Sequence, residues 1–295
     1  MTDQVNFDYD TFVTRNLGFV SKEEQARLRQ GAVFVAGVGG MGGACLNALA
    51  RAGVGRIGIA DIDRFEVSNL NRQVFAFTDT VGQEKAAAAA AAVRRINPGI
   101  ALEVLGGEWT ERLSDIAARY KVIVNGCDDV AATVQLYRVA RQAGACVIDA
   151  YASPLPSVIL VRPDAPRPEE RLRYPTLGKD WKALTNDETR AAFIKEIEYV
   201  MVHSSSASHV DLAIAAEMAA GKRSRMSFAP MVITTGNLMA YEALGQVMGR
   251  TSNTDHRGWF FNPYGPRVER PLPEPIASAK LMLVRRYMAK LMGPT

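Results

Sequence analysis

Residues 32–42 read AVFVAGVGGMG, a run of five apolar residues followed directly by the pattern GxGxxG. The apolar run predicts a buried strand, and residues 43–52 predict a helix. A glycine turn between a strand and a helix brings unpaired backbone N–H groups and the positive end of the helix dipole to one point. We therefore expect a phosphate-binding turn here. Its glycines are Gly37, Gly39, Gly40 and Gly42.

Outward from this turn, strand-like and helix-like runs alternate as far as residue 150. Helices are predicted over 83–96 and 129–143. Such alternation is typical of a parallel sheet with helices on both faces. The predicted fold is therefore α/β and Rossmann-like, a mostly parallel open sheet with helices on both faces, extended by a less regular C-terminal half. The strands are predicted at 32–36, 57–60, 101–105, 121–125, 145–149 and 157–161.

In the second half of the chain, strand-like and helix-like runs no longer alternate regularly. Residues 162–181 are rich in proline and charge and predict a long crossing loop, whereas 186–202 and 227–248 predict helices. A proline-rich tether is predicted over 262–275. The amphipathic basic helix predicted over 276–292 is expected to pack on its own domain or on a second subunit. One face of that helix holds Leu281, Val284, Met288 and Leu291.

Composition limits the function classes. Of the 295 residues, 48% are hydrophobic and 22% charged, which excludes disorder, and the net charge of +4 includes no run of five like charges. We therefore do not expect a nucleic-acid partner. The three cysteines form no CxxC pair, so neither a disulfide framework nor a structural zinc is expected, and a reducing cytoplasm fits best. Without a leader-like N-terminus or a membrane-length apolar window, we expect a soluble protein that is not exported.

Charged residues beyond the glycine turn indicate the kind of ligand. Asp61 follows the second predicted strand, where a carboxylate grips ribose hydroxyls, Arg72 lies in the next loop, and Lys85 opens the next helix. When a triphosphate loses pyrophosphate, negative charge grows on the leaving group. An arginine, which can form two parallel hydrogen bonds, and a lysine stabilise that charge. The basic pair therefore favours ATP over a dinucleotide. A competing interpretation makes both residues surface groups that pair with Glu66 or Glu84.

Two carboxylates, Asp128 and Asp129, follow the fourth predicted strand, at the sheet edge where ligands of such sheets bind. One carboxylate together with phosphates is the usual way to hold Mg²⁺. An acid just before a helix is more often an N-cap, so we assign the metal to Asp128 and the cap to Asp129.

Five segments, in this order and spacing, resemble the ThiF/MoeB/HesA family of adenylyltransferases, bacterial relatives of the ubiquitin-activating enzymes, over residues 12–150. The block SNLNRQ is highly specific. The resemblance implies an enzyme that binds ATP with Mg²⁺ and adenylates a carboxylate, releasing pyrophosphate. The segments are GVGGMGG (37–43), DIDRFEVSNLNRQ (61–73), VGQEK (81–85), RINP (95–98) and GCDD (126–129).

Carried over by position, the resemblance implies roles for single residues. Asp61 would hold the ribose, Arg72 and Lys85 the β- and γ-phosphates, and Asp128 the magnesium ion. Arg15 is expected to reach across a homodimer into the other subunit's site, with Arg27 or Arg29 as the next candidates. Further residues expected to line the same pocket are Asp63, Asn69 and Gln73.

The acceptor is left open. It is either the C-terminus of a small ubiquitin-like or sulfur-carrier protein, threaded under the 163–200 loop, or a peptide, small-molecule or tRNA-attached carboxylate. Either carboxylate is already ionised at pH 7 and needs no base. No membrane partner is expected. We divide the chain into an N-terminal helical segment (1–30), an ATP-binding Rossmann-like half (31–160), a crossover loop and acceptor-binding half (161–260), and the tether with the C-terminal helix (261–295).

Two other classes of function are open. An NAD-dependent oxidoreductase on the same glycine turn would leave Arg72, Lys85 and Asp128 without a joint purpose. A non-catalytic dimeric relative would be expected to have lost some of these residues. The chain also lacks the paired CxxC motifs that the resemblance to many sulfur-carrier activators implies. Cys127, beside Asp128, is the thiol next to the predicted site, and whether a cysteine forms a thioester is open.

Overall fold

Eight strands form one sheet in the computed structural model, which describes residues 6–219 and 221–292. The strands are β1 (Ala32–Ala36), β2 (Arg56–Ala60), β3 (Ala101–Leu105), β4 (Val122–Asn125), β5 (Cys146–Asp149), β6 (Ser157–Val161), β7 (Trp259–Asn262) and β8 (Arg267–Glu269). Their order across the sheet is β3-β2-β1-β4-β5-β6-β7-β8. The first five strands pair in parallel, and β6, β7 and β8 pair antiparallel. The predicted mostly parallel sheet is confirmed.

Helices cover both faces of this sheet. In the described residues they are α1 (Tyr9–Val13), α2 (Lys22–Gln30), α3 (Gly40–Arg51), α4 (Lys85–Ile96), α5 (Leu113–Arg119), α6 (Val130–Gln142), α7 (Pro168–Arg171), α8 (Asn186–His203), α9 (Leu212–Ala219), α10 (Ala229–Met248) and α11 (Glu274–Met292). Alternate side chains of β1 show the two layers. Val33 and Val35 pack in one core with α3, α4 and α10, whereas Phe34 and Ala36 pack in a second core with α5 and α6.

The register of the parallel strands fixes where the functional loops start. Ala36 at the end of β1 pairs with Ala60 in β2 and with Asn125 in β4. Three strands therefore end level with one another, and the three loops that follow begin side by side at the carboxyl edge of the sheet. Ligands of parallel sheets bind at this edge.

Several predicted elements have different bounds in the structure. The helix predicted over 43–52 begins earlier, at Gly40, because glycine at position 42 lets its first turn lie directly on the backbone of Gly37. The stretch 262–275, predicted as a tether, contains β8, which forms a hairpin with β7. The predicted crossing loop contains the short helix α7. Helices α5 and α9 were not predicted.

Helix α11 packs against α8 of the same chain. Val284 and Met288 are buried against Val202, and the Arg285 guanidinium donates to the Glu198 carboxylate at 2.9 Å. The interpretation that this helix packs on its own chain is confirmed, although the side chain of Leu291 on the predicted face lies outside the described residues. Within the described part of the chain, no helix is both long and apolar enough to cross a bilayer.

Candidate active site

The glycine turn between β1 and α3 is packed against the loop that follows β4. Gly37 has a φ of 81°, a left-handed conformation that favours glycine, and a Cβ there would lie 2.6 Å from the carbonyl oxygen of Gly126. A Cβ on Gly42 would collide with the carbonyl oxygen of Gly37. Helix α3 starts at Gly40, with Gly39 as its N-cap, so its first N–H groups lie at the sheet edge. The predicted turn is present.

Asp61, directly after β2, braces this turn. Its Oδ2 accepts a hydrogen bond from the backbone N–H of Val38 at 2.8 Å, and its Oδ1 accepts one from the N–H of Asp63 at 2.9 Å. Burial raises the pKa of Asp61, while the two backbone donors and the charge of Lys85 oppose the rise. Each carboxylate oxygen has a second lone pair, so the side chain still offers acceptors to a ligand.

Lys85, the first residue of α4, is buried with only 7% of its surface exposed. Its Nζ donates to Asp63 Oδ2 at 2.8 Å. Glu84 pairs instead with Arg64 at 2.9 Å. The competing interpretation, in which Lys85 is an exposed group paired with Glu66 or Glu84, is therefore wrong. The lysine is buried, and its partner is Asp63, which holds the ammonium group in one position.

Asn69 is the last residue of a 3₁₀ turn, Val67–Asn69, and Arg72 follows this turn by three residues. Asn69 is buried, and its Oδ1 accepts a hydrogen bond from the Glu66 N–H at 3.1 Å, which holds the turn closed. Arg72 is half-buried, and its Nη1 donates to the carbonyl oxygen of Ser68 at 2.8 Å. No carboxylate of the described residues pairs with Arg72, so its guanidinium charge is available to an anion.

Gln73 lies against the glycine turn, with its Nε2 3.6 Å from where a Cβ of Gly39 would be. It is 7% exposed, and its buried Oε1 has no hydrogen-bond partner in the described part of the chain. An unpartnered buried acceptor is rare in a native protein and marks a place where a ligand or a water completes the structure.

The two acids after β4 have different roles. Asp129 Oδ1 accepts the backbone N–H of Ala132 at 2.6 Å and caps α6, as predicted. The Asp128 carboxylate is exposed and makes no hydrogen bond to the described residues, while its backbone carbonyl oxygen accepts from Arg225 Nη2 at 3.0 Å.

Cys127 is held as a neutral thiol. Burial raises its pKa to about 12, and the neighbouring charges of Asp128 and Asp129 add to the rise. Nucleophilic attack needs the thiolate. A thiol in this state is a poor acceptor for an acyl group at neutral pH.

Nearly all the predicted residues line one cavity of about 700 Å³, here called the inner cavity. A second cavity of about 980 Å³, the outer cavity, adjoins it and shares Arg72, Lys85 and Asp128 with it. Asn69 lines the outer cavity only. The predicted residues that line the inner cavity are Gly37, Gly39, Gly40, Asp61, Asp63, Arg72, Gln73, Lys85 and Asp128.

Arg15 lies apart from this group, on an exposed 3₁₀ turn, and lines neither cavity in its own chain. Conversely, Arg190 lines the outer cavity and Arg225 lines both cavities, and neither residue was predicted. The basic stretch KRSR at 222–225, between two predicted helices, was the available signal for Arg225.

A smaller cavity of about 80 Å³ lies beside the inner cavity and is lined by several acidic residues, among them Asp149 and Glu196. Asp149 accepts hydrogen bonds from Asn125 Nδ2 at 3.0 Å and from the Tyr137 hydroxyl at 2.8 Å. Glu196 Oε1 accepts from the backbone N–H of Ala152 at 2.6 Å, and burial raises the pKa of this glutamate to about 7. Glu196 thus ties α8 to the loop after β5, and Asp149 ties α6 to the ends of β4 and β5.

Comparison with known proteins places these residues in a family. The sequence profile of the ThiF family matches residues 13–279, most of the chain. The chain belongs to the ThiF family. Among curated relatives, it is 40% identical to a sulfur carrier protein adenylyltransferase of Thermus thermophilus over 111 residues, 37% of this chain and 41% of the relative. It is 36% identical over 129 residues to the tRNA threonylcarbamoyladenosine dehydratase of Bacillus subtilis, 42% of this chain and 50% of that protein.

This ThiF-family chain thus matches half or less of the length of these relatives. Two solved structures share its fold: the Escherichia coli tRNA N6-threonylcarbamoyladenosine dehydratase in complex with ATP and E. coli MccB with succinimide. The first has a TM-score of 0.58 at 20% identity, covering 81% of this chain and 95% of that one. The second has a TM-score of 0.63 at 16% identity, covering 90% and 72%. The predicted family and the predicted Rossmann-type fold are confirmed.

Proposed function

We propose that this protein is an ATP-dependent adenylyltransferase that activates a carboxylate as an acyl-adenylate and releases pyrophosphate. The observation that carries the proposal is the meeting of three loops at one sheet edge, where the glycine turn, the Lys85–Asp63 pair, Arg72 and Asp128 line one cavity. Family membership supports the same conclusion.

The inner cavity is lined by both polar and apolar residues. In our proposal the glycine turn and the start of α3 bind the α-phosphate, and Asp61, beside the turn, binds the ribose. Ile62 and Trp109 line the same cavity and would hold the adenine ring against apolar surface. Arg72 and Lys85 would bind the β- and γ-phosphates, with Asn69 and Gln73 completing the pocket.

Asp128 fits a magnesium ion because its carboxylate is exposed at the cavity and makes no hydrogen bond to the described residues. Oxygen donors from one carboxylate and from phosphates suit Mg²⁺, which keeps several waters. A magnesium ion held there would neutralise charge on the phosphates.

The chain's own residues would do the rest by position and charge. The acceptor carboxylate is ionised at pH 7, so its attack on the α-phosphorus needs alignment and no proton transfer. As the bond to the leaving oxygen breaks, negative charge grows on the pyrophosphate. The fixed charges of Arg72 and Lys85 lower the free energy of that transition state, since they are in place before the reaction starts.

The acceptor is proposed at the level of a carboxylate, borne by a carrier-protein C-terminus or by a peptide, small molecule or tRNA. One relative is named a sulfur carrier protein adenylyltransferase, and one neighbouring structure shows MccB in complex with N-formylated MccA. The high pKa of Cys127 favours adenylation without transfer to a thiol. We further propose a homodimer in which Arg15 completes the other subunit's site. The three free cysteines favour a reducing compartment such as the cytoplasm.

Calorimetric titration of the protein with ATP and Mg²⁺, and separately with NAD, tests the nucleotide half of the proposal. Arg72→Ala and Asp128→Ala should each weaken ATP binding roughly tenfold or more, because each removes a charged contact to the phosphates or their metal. NAD binding that both substitutions leave unchanged would overturn the proposal in favour of an oxidoreductase.

A further inference from the structure

The outer cavity is lined by more cationic side chains than the family motifs contain. Arg72 and Lys85 belong to the motif region, whereas Arg190 lies on α8 and Arg225 in the segment that leads to α10. The second half of the chain therefore brings its own positive charges to the cavity that Arg72 and Lys85 line. Two more arginines, Arg64 and Arg223, lie on the same wall.

The partners of these cations decide which of them can serve a ligand. Lys85 is paired with Asp63, Arg64 with Glu84 at 2.9 Å, and Arg223 with Glu217 at 3.8 Å. Within the described residues, no carboxylate pairs with the remaining three. These three are Arg72, Arg190 and Arg225.

Arg225 is nevertheless held in place. Its Nη2 donates to the carbonyl oxygen of Asp128 at 3.0 Å, and its guanidinium lies 4.7 Å from the ring centroid of Phe193. Phe193 follows Arg190 by three positions on α8, so the two residues share one helix face. The ring thus links the two arginines into one surface directly beside the residue assigned to the metal.

Around this cavity, three guanidinium groups form no salt bridge with any of the described residues, and together they match an anion with several charges and many acceptor oxygens. A single carboxylate satisfies one arginine fork, whereas pyrophosphate offers oxygens on two phosphorus atoms. The position of the cavity points the same way, because it adjoins the inner cavity through Arg72, Lys85 and Asp128.

We propose that Arg190 and Arg225 form, with Arg72 and Lys85, a binding site for inorganic pyrophosphate and for the β- and γ-phosphates of ATP. The leaving group is then held by both halves of the chain. This inference rests on the proposed adenylyltransferase function and extends it by assigning positioning residues from the second half. AMP lacks both phosphates and gains nothing from these arginines, so they discriminate ATP from AMP.

Calorimetric titration with sodium pyrophosphate, and separately with AMP, tests this site. Arg190→Gln and Arg225→Gln should each weaken pyrophosphate binding roughly tenfold and leave AMP binding unchanged, since each removes charge-assisted hydrogen bonds to phosphate. Arg95→Gln is the matched control, because Arg95 is exposed and lies ten residues along α4 from Lys85, about 15 Å away. Melting temperatures confirm that the variants are folded.

The wild-type protein provides a second test that needs no variant. Trypsin cleaves after lysine and arginine, and Lys222, Arg223 and Arg225 lie in the exposed segment 221–225 that precedes α10. Saturating pyrophosphate should slow cleavage after Arg225 severalfold, and AMP should not. Equal cleavage with and without pyrophosphate would overturn the site.

Failure of this inference differs from failure of the proposed function. Suppose that ATP binding depends on Arg72 but that the wild type, Arg190→Gln and Arg225→Gln bind pyrophosphate equally well. The adenylyltransferase proposal then stands, whereas the proposed role of Arg190 and Arg225 in binding pyrophosphate is refuted. A wild-type protein that does not bind pyrophosphate also overturns the inference. Loss of pyrophosphate affinity in both variants but not in Arg95→Gln supports it.

Discussion

The ammonium group of Lys85 lies 2.8 Å from the carboxylate of Asp63, and the backbone N–H of the same lysine donates to the carbonyl oxygen of Asp63 at 2.9 Å. Two hydrogen bonds between one pair of residues fasten the first turn of α4 to the loop after β2. The lysine is therefore held at the cavity wall before any ligand binds. Such preorganisation lets a charge act on a ligand without the cost of ordering a flexible side chain.

Substitution of Lys85 by methionine, which keeps the aliphatic stem and removes the charge, should weaken ATP binding about tenfold to a hundredfold and AMP binding little, since the lysine is assigned to the outer phosphates. Calorimetry with each nucleotide measures both effects. The control is Lys22→Met, at the exposed start of α2. Equal weakening of AMP and ATP binding would show that the lysine supports the fold of the pocket rather than the triphosphate.

Gly42→Ala should sharply lower the melting temperature, because its Cβ would collide with the backbone of Gly37 and neither element can move without opening the glycine turn. Gly245→Ala, in the last turn of α10, is the matched control. Among the described residues, a Cβ there meets no atom within 4 Å, so alanine should leave the protein as stable as the wild type or about 1 kcal/mol more stable. Thermal unfolding that ranks the two variants in the opposite order would contradict the close packing of the turn.

Glu196→Gln should change how stability depends on pH. The folded-state pKa of Glu196 is about 7, against an ordinary value of 4.5. Burial and the charge of Asp149 raise it more than the Ala152 N–H hydrogen bond and two nearby arginines lower it. Between these two values the unfolded state loses its proton while the folded state keeps it, so wild-type stability falls as the pH rises. The slope is at most ~1.4 kcal/mol per pH unit.

Glutamine keeps an oxygen for the Ala152 N–H and cannot ionise. Its stability advantage over the wild type should therefore be small at pH 4.5, grow up to pH 7 and stay constant above it. Denaturant unfolding at several pH values measures the difference. An advantage that does not vary with pH would mean that Glu196 is ionised in the folded protein throughout this range.

Arg15 is assigned to the other subunit's site, and mixing two inactive variants tests this assignment. In a heterodimer of Arg15→Ala and Asp128→Ala, one site receives an intact Asp128 from its own chain and an intact Arg15 from the other. Random exchange of subunits makes half of the dimers mixed, so about a quarter of the sites should regain ATP affinity. Sedimentation first establishes the dimer. No regained binding in a mixture that does exchange subunits would refute action across the interface.

The sequence was most informative where local pattern and structure agree. The run AVFVA predicts β1 with its observed bounds, since a strand buried on both faces needs apolar residues at every position. Asp129 is recognisable as a cap because an acid directly precedes a helix, a relationship that spans only three residues. Elements of this kind depend on neighbours in the chain.

The features that sequence reasoning missed depend on distant contacts. Arg225 and Asp128 are 97 positions apart, and nothing local to either shows that they meet. Strand β8 has only three residues, none fully buried, and owes its existence to pairing with β7. The sequence alone does not decide whether Lys85 is buried or exposed, because its burial depends on the loop that carries Asp63.

In the proposed reaction, a carboxylate attacks the α-phosphorus of ATP. Peptides with ¹⁸O-labelled C-terminal carboxylates, incubated with the protein, ATP and Mg²⁺, test it directly, because the attacking oxygen stays with the α-phosphorus when the acyl group is later transferred. Mass spectrometry should find pyrophosphate and AMP in equal amounts, with one ¹⁸O in the AMP. The appearance of ADP together with ¹⁸O-labelled phosphate would place the attack on the γ-phosphorus and contradict adenylation.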